Sequence, residues 1–134
     1  MKRIRYGLRK YAYIYDPSEL DPMQQNIYAS SISLLKNSMW TPRNPKKNLG
    51  EIHSLALAKA LGVPIFMTDE VDLQEIIDYH LNTNDSIISC FRIIDIIQEI
   101  KQDRLQGMAR KQAKLLWVLS GKNKDDFDRS IWPL

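Results

Sequence analysis

Residues 50–70, GEIHSLALAKALGVPIFMTDE, carry the clearest folding signal in the chain. From Gly50 to Leu61 the segment is rich in Ala and Leu, which are strong helix formers, and Gly62 is a typical stop signal at a helix C-terminus. The short apolar run over 64–68 is typical of a buried strand. The stretch therefore predicts a helix that turns tightly into a strand.

The sequence after this stretch continues to alternate helices and strands. It predicts a helix from Glu70 to His80, a strand over 86–90, a helix with an isoleucine stripe that runs up to Asp103, and a last helix from Met108 to Leu119. Strand, helix and strand in this order, with apolar strands, indicate a βαβ unit with parallel strands. The expected fold class is α/β.

The sequence before this stretch is helical and then irregular. Asp21 followed by Pro22 is a favourable N-cap and first helical position, so a helix is predicted from Pro22 to Lys36. Residues 41–49 are rich in Pro and Asn and predict a loop. The aromatic residues 11–15 are a candidate for a short third strand. Because parallel strands need cover on both faces, so small a sheet predicts a homo-oligomer or a complex with a partner chain.

Two carboxylates, Glu51 and Asp69, flank the predicted helix and strand. Each element is about 17 Å long, and the two run antiparallel, so both carboxylates are expected at the carboxyl edge of the sheet, where α/β proteins bind ligands. Carboxylate oxygens there favour Mg²⁺ or Mn²⁺. The alternative is structural: Glu51 complements its helix dipole, and Asp69 and Asp72 cap the next helix.

Residues 48–119 resemble the second half of a PIN domain. In that family a Gly-Glu pair, here Gly50-Glu51, opens an Ala- and Leu-rich helix, and the strand that follows ends in an acidic pair, here Asp69-Glu70. The resemblance implies a single PIN-like three-layer domain over 1–134, with a small parallel sheet flanked by helices. It also implies that the family's first strand and helix are missing.

The resemblance implies a function as well. PIN domains are typically Mg²⁺- or Mn²⁺-dependent ribonucleases, and many are toxins of bacterial toxin–antitoxin pairs. Glu51 and Asp69 match catalytic metal ligands, Glu70 matches the more variable acid, and Asp16 is a further metal-ligand candidate after residues 11–15. The implied partners are RNA and an antitoxin, in a bacterium or a prophage. The alternative is a catalytically degenerate PIN-fold protein that binds nucleic acid or protein.

The charge of this 134-residue chain is +3 overall but unevenly placed. Residues 51–103 hold three bases against ten acids, a balance of −7, whereas the rest holds sixteen bases against six acids, a balance of +10. This pattern suits a cation site flanked by a surface that binds a polyanion; the alternative is an ordinary solvated surface. The candidates for RNA or phosphate contacts are Ser89, Arg92, Arg110 and Lys111.

The expected location is the cytoplasm. No apolar run approaches the roughly 18 residues that a membrane span needs, so no membrane partner is expected. The basic N-terminus lacks the apolar stretch of an export signal. Cys90 is the single cysteine, so neither a disulfide framework nor a cysteine-based zinc site is expected.

Overall fold

The computed structural model describes residues 15–83 and 86–134. The chain divides into two compact units, Met1–Gly62 and Val63–Leu134. Residues 11–14 of the candidate third strand lie outside the described residues, and Tyr15 is not part of a strand. No helix in the described part of the chain is both long enough and apolar enough to cross a bilayer. The single domain and its PIN-like architecture stay predictions.

From residue 15 onward, the first unit contains a pair of helices preceded by a short 3-10 turn, Pro17–Glu19. Helix α1 spans Pro22–Met39 and begins with a capping box. In that box the Asp21 carboxylate accepts from the Gln24 N–H at 2.8 Å, and the Gln24 side chain accepts from the Asp21 N–H at 3.1 Å. The helix predicted from Asp21 and Pro22 is therefore confirmed, and it runs three residues past Lys36.

Helix α2 spans Leu49–Leu61 and packs against α1. Leu35, Ile52 and Leu55 are fully buried. The helix ends at Gly62, whose φ of 69° lies in the left-handed region that glycine adopts without strain. The helix and stop signal predicted from residues 50–62 are confirmed.

The second unit contains the parallel βαβ unit and the remaining helices. Its elements are β1 (Ile65–Met67), α3 (Leu73–His80), β2 (Ser89–Phe91), α4 (Ile93–Lys101), α5 (Arg110–Leu119), the short α6 (Lys124–Asp126) and a π-helical turn (Phe127–Ile131). Strand β1 pairs with β2 in parallel, with Ile65 opposite Ser89 and Met67 opposite Phe91. The predicted βαβ unit and the α/β class are confirmed, although both strands are shorter than expected.

Helix α3 begins three residues later than the predicted helix, at Leu73 instead of Glu70. The reason is a turn in which the Glu70 N–H donates to the Thr68 hydroxyl at 3.1 Å. A threonine side chain that bonds the backbone two residues ahead competes with helix formation.

The prediction that β1 is a buried strand is wrong for one of its faces. Ile65 and Met67 keep 53% and 56% of their surface exposed, whereas Phe66 between them is half-buried and the nearby Ile88 is fully buried. Side chains alternate along a strand, so Ile65 and Met67 point to the face opposite to that of Phe66. The face with Phe66 is covered, and the face with Ile65 and Met67 is not. The described residues thus leave one face of the sheet apolar and exposed.

The isoleucine stripe of α4 packs against α5 and the C-terminal turn. Ile97, Ile100, Ala113 and Phe127 form this buried cluster. Partly buried neighbours surround it: Ile93, Ile96, Leu105, Met108, Leu116, Trp117, Ile131 and Trp132. The isoleucine stripe of α4 is therefore covered within this unit.

Candidate functional site

Asp69 lies directly past the carboxyl end of β1. The Thr68 N–H donates to the Phe91 carbonyl at 3.0 Å, which extends the parallel ladder by one step beyond Met67. Asp69 is the next residue, so its side chain stands at the carboxyl edge of the sheet. Open α/β sheets bind ligands at this edge.

Both carboxylate oxygens of Asp69 already have partners. The Lys122 ammonium donates to Oδ2 at 2.8 Å, and the Ile93 N–H, the first of helix α4, donates to Oδ1 at 3.4 Å. The Lys122 hydrogen bond holds the pKa of Asp69 below its ordinary value; partial burial opposes it, and the Ile93 N–H and the charge of Arg92 add to it. Asp69 thus ties the end of β1 to the start of α4 and to the loop after α5.

Lys122 lies in the turn that ends helix α5. Helix α5 ends in a Schellman motif in which the Lys122 N–H donates to the Trp117 carbonyl at 3.3 Å and the Gly121 N–H donates to the Val118 carbonyl at 3.0 Å. Gly121 has a φ of 84°, which explains why glycine stands there. The Lys122 ammonium also lies 5.5 Å from the centre of the Trp117 ring, a cation–π distance.

An open pocket of about 210 Å³ lies beside this ion pair, lined by Met67, Thr68, Asp69, Phe91 and Ile93. Three of these side chains are apolar, and Thr68 and Asp69 supply the polar atoms. Small-molecule sites in proteins are typically larger, at about 300–1,000 Å³, and enclose most of their ligand. This pocket is smaller and open, so it is a shallow depression beside the ion pair.

A divalent cation at Asp69 would compete with the N–H donors from which its carboxylate already accepts. Mg²⁺ needs near-octahedral oxygen ligands, and both oxygens of Asp69 are engaged by N–H donors. Across residues 15–83 and 86–134, no group of three or more His, Cys, Asp or Glu side chains is placed to hold a metal ion. A cation at Asp69 would first have to displace the Lys122 ammonium.

The other predicted metal ligands have varied surroundings. Glu51 is half-buried in the first turn of α2 and belongs to the first unit, whereas Asp69 belongs to the second, so their convergence stays a prediction. Glu70 is exposed. Asp16 caps the first 3-10 turn: its carboxylate accepts from the Ser18 N–H at 2.9 Å, and this bond lowers its pKa.

The alternative that Asp69 and Asp72 cap the helix after β1 needs a correction. Asp72 stands at the N-cap of α3 but accepts no capping hydrogen bond there. Asp69 does accept from a helix N-terminus, but the helix is α4, one helix later than expected. The parallel register explains this, because it places the start of α4, directly after β2, at the same edge as Asp69.

The predicted RNA contacts are not all brought together. Ser89 lies opposite Ile65, about 13 Å before Asp69 along the strand direction. Arg92 is exposed and near enough to Asp69 to lower its pKa. Arg110 donates to the Asp128 carboxylate at 2.7 Å and to the Trp132 carbonyl at 2.9 Å, so a phosphate would compete with these contacts, whereas Lys111 is exposed.

Lys122 is the residue of this site that sequence reasoning missed. It lies 53 positions after Asp69 in the chain. Gly121 is a recognisable stop signal for helix α5 in the sequence. A lysine next to such a glycine is common, because it complements the helix dipole at the C-terminus. Nothing local in the sequence links that lysine to Asp69.

No family model, curated protein or solved structure matches the chain. Over residues 15–83 and 86–134 the structure itself defines the class as α/β, with a small two-stranded parallel sheet and flanking helices.

Proposed function

We propose that this chain is a PIN-like protein that binds RNA without cleaving it. The observation that carries the proposal is the ion pair between Asp69 and Lys122, in which a lysine ammonium takes the carboxylate oxygen that a catalytic cation would need. The PIN resemblance and the basic character of the chain, with a pI of about 9.0, support RNA as the partner. Such a protein keeps the fold of a nuclease and uses it as a binding surface.

A binding and cleavage assay on one RNA tests this proposal. We expect fluorescence anisotropy to give the same affinity for a labelled single-stranded RNA with Mn²⁺ and with chelator, and gel analysis to show intact RNA in both. RNA that is cut only with Mn²⁺, and left intact by Asp69→Asn, would overturn the binding-only proposal. No binding under either condition would overturn RNA as the partner.

A second candidate is a divalent-metal-dependent ribonuclease of PIN type that pairs with an antitoxin. The position of Asp69 at the carboxyl edge, next to an open pocket, favours it. In this case Glu51 and Asp69 are the catalytic ligands of Mg²⁺ or Mn²⁺, and Glu51→Gln abolishes cutting. The melting temperature of that variant is expected to stay similar, since a first-turn carboxylate contributes well under about 1 kcal/mol to stability.

A further inference from the structure

The loop between α1 and α2, residues 40–48, concentrates positive charge in the first unit. From Pro22 to Gly50 the chain has no acidic residue and four bases, Lys36, Arg43, Lys46 and Lys47. The last three lie in the loop and are exposed. Among the described residues none of these three forms an ion pair with a carboxylate, so their charges are not neutralised.

This basic loop is held in a defined shape by its own hydrogen bonds. The Trp40 indole N–H donates to the Pro45 carbonyl at 3.0 Å, and the Asn48 side chain donates to the Met39 carbonyl at 2.9 Å. Inside the loop the Asn44 N–H donates to the Thr41 carbonyl at 3.2 Å. A loop fixed in this way presents its cations with less ordering cost on binding than a flexible one.

The loop also carries an aromatic ring next to its cations. Trp40 is 36% exposed, and the Lys36 ammonium lies 5.6 Å from the centre of its ring. The acids nearest to the loop along the chain are Asp21 and Glu51. Asp21 stands at the far end of α1, about 27 Å away, and Glu51 lies in the first turn of α2. Proteins bind single-stranded nucleic acids with such groups: the cations contact the phosphates, and the aromatic ring stacks on a base.

We propose that the basic loop over residues 40–48 is the surface that binds single-stranded RNA, with Arg43, Lys46 and Lys47 on consecutive phosphates. This inference rests on the proposed RNA-binding function and gives that function a location. Arg43 offers a planar, bidentate contact to a phosphate, and the two lysines act as point charges. This location of the binding surface differs from the sequence-based expectation that Arg92, Arg110 and Lys111 make the phosphate contacts.

Anisotropy titrations with a labelled single-stranded RNA of about 12 nucleotides, a length within known site sizes, test the surface. In the triple variant Arg43→Ala/Lys46→Ala/Lys47→Ala we expect at least tenfold weaker binding at about 50 mM salt. The slope of log K against log salt should fall by about 2, since each single-strand phosphate contact contributes about 0.7. The matched control Arg104→Ala/Lys124→Ala/Arg129→Ala removes three exposed charges from the second unit and should leave the slope unchanged.

Two further measurements keep the outcome clear. The charge-preserving variant Arg43→Lys should keep the wild-type salt slope, which separates a lost charge from a misfolded loop. A DNA strand of the same sequence shows whether the sugar contributes to the affinity. Wild-type binding that the triple variant retains with an unchanged slope would overturn the loop as the surface while leaving RNA binding intact. Failure of the wild type to bind would overturn both.

Discussion

At the scale of single residues, the ability of Asp69 to bind a cation depends on the groups that its carboxylate already contacts. A carboxylate at the carboxyl edge of a parallel sheet invites a cation, and here the cation is the Lys122 ammonium at 2.8 Å. The pair is partly exposed, with 45% of the Asp69 side chain and 31% of the Lys122 side chain accessible. An exposed pair of this kind contributes about 0.2–1 kcal/mol, so it is strong enough to disfavour a weakly bound ion and weak enough to be displaced.

Removal of the lysine should therefore open the carboxylate to metal. In Lys122→Met we expect Mn²⁺ affinity to rise up to about fivefold, the factor that corresponds to the upper end of the range of about 0.2–1 kcal/mol for such a pair. Calorimetric titration measures it, with Lys124→Met as a control that loses the same charge from α6. Asp69→Asn in the Lys122→Met background should cancel the gain. Equal Mn²⁺ binding by the wild type and Lys122→Met, or none by either, would contradict the idea that Lys122 excludes the ion.

Asp128 should give the protein an acid-sensitive contribution to stability. The hydrogen bonds from Lys114 at 2.8 Å and Arg110 at 2.7 Å hold its pKa below the ordinary 3.8. In the unfolded chain the carboxylate therefore protonates first as the pH falls. Its stabilisation is complete above pH 3.8 and is lost as the pH falls through the lower folded-state pKa.

Urea unfolding at pH 7 and below pH 3 checks this expectation. Asp128→Asn should unfold at lower urea than the wild type at pH 7, and the difference should shrink in acid. Asp103→Asn is the control, because Asp103 is exposed and its φ of 58° is one that asparagine adopts readily. A difference between Asp128→Asn and the wild type that persists unchanged in acid would contradict the assignment.

At the scale of elements, the outer edge of β2 is closed by side chains. The Gln74 amide accepts from the Cys90 N–H at 2.6 Å and donates to the Ile88 carbonyl at 3.1 Å. The Asn82 amide accepts from the Ile88 N–H at 2.7 Å and donates to the same carbonyl at 2.9 Å. On this edge of the sheet the two amides therefore occupy the backbone groups that a third strand would use.

Gln74→Ala should therefore weaken the fold. The variant leaves the half-buried Cys90 N–H without its acceptor, and an unsatisfied group of this kind costs about 1–3 kcal/mol. Urea unfolding with Glu75→Ala as the control measures the difference, since Glu75 is exposed on the same helix and should change stability by less than about 0.5 kcal/mol. Equal midpoints for the two variants would show that the amide does not support β2.

The elements that were predicted correctly are those with local signals. The capping pair Asp21-Pro22 and the stop at Gly62 act within one turn of helix. The apolar runs over 64–68 and 86–90 indicated both strands, although β2 begins three residues later than predicted, at Ser89. Features that depend on distant partners were not predictable. The ion pair of Lys122 with Asp69 and the exposure of Ile65 follow from tertiary packing, which no local pattern encodes.

At the scale of the whole molecule, the described residues leave large apolar side chains in contact with water. Two of these are Ile65 and Met67 on β1, and a third is Ile87, two residues before β2; each is more than half exposed. On α5, Leu115 and Leu119 are 57% and 73% exposed. Contiguous exposed apolar surface on a sheet face is typical of an interaction site, and a symmetric dimer is the commonest way in which a single chain covers it.

We accordingly expect the purified protein to be a homodimer or larger, and the sheet face to hold it together. The double variant Ile65→Thr/Met67→Thr keeps side chains that suit a β-strand or its edge but removes the apolar contacts, so it should lower the mass measured by light scattering to that of a single chain. Leu119→Gln, at the end of α5, is the control and should leave the mass unchanged. A wild-type mass of 15.6 kDa at micromolar concentration would contradict the expectation. A multimer that survives the double variant would instead place the contact on another surface, with the exposed leucines of α5 as the next to be changed.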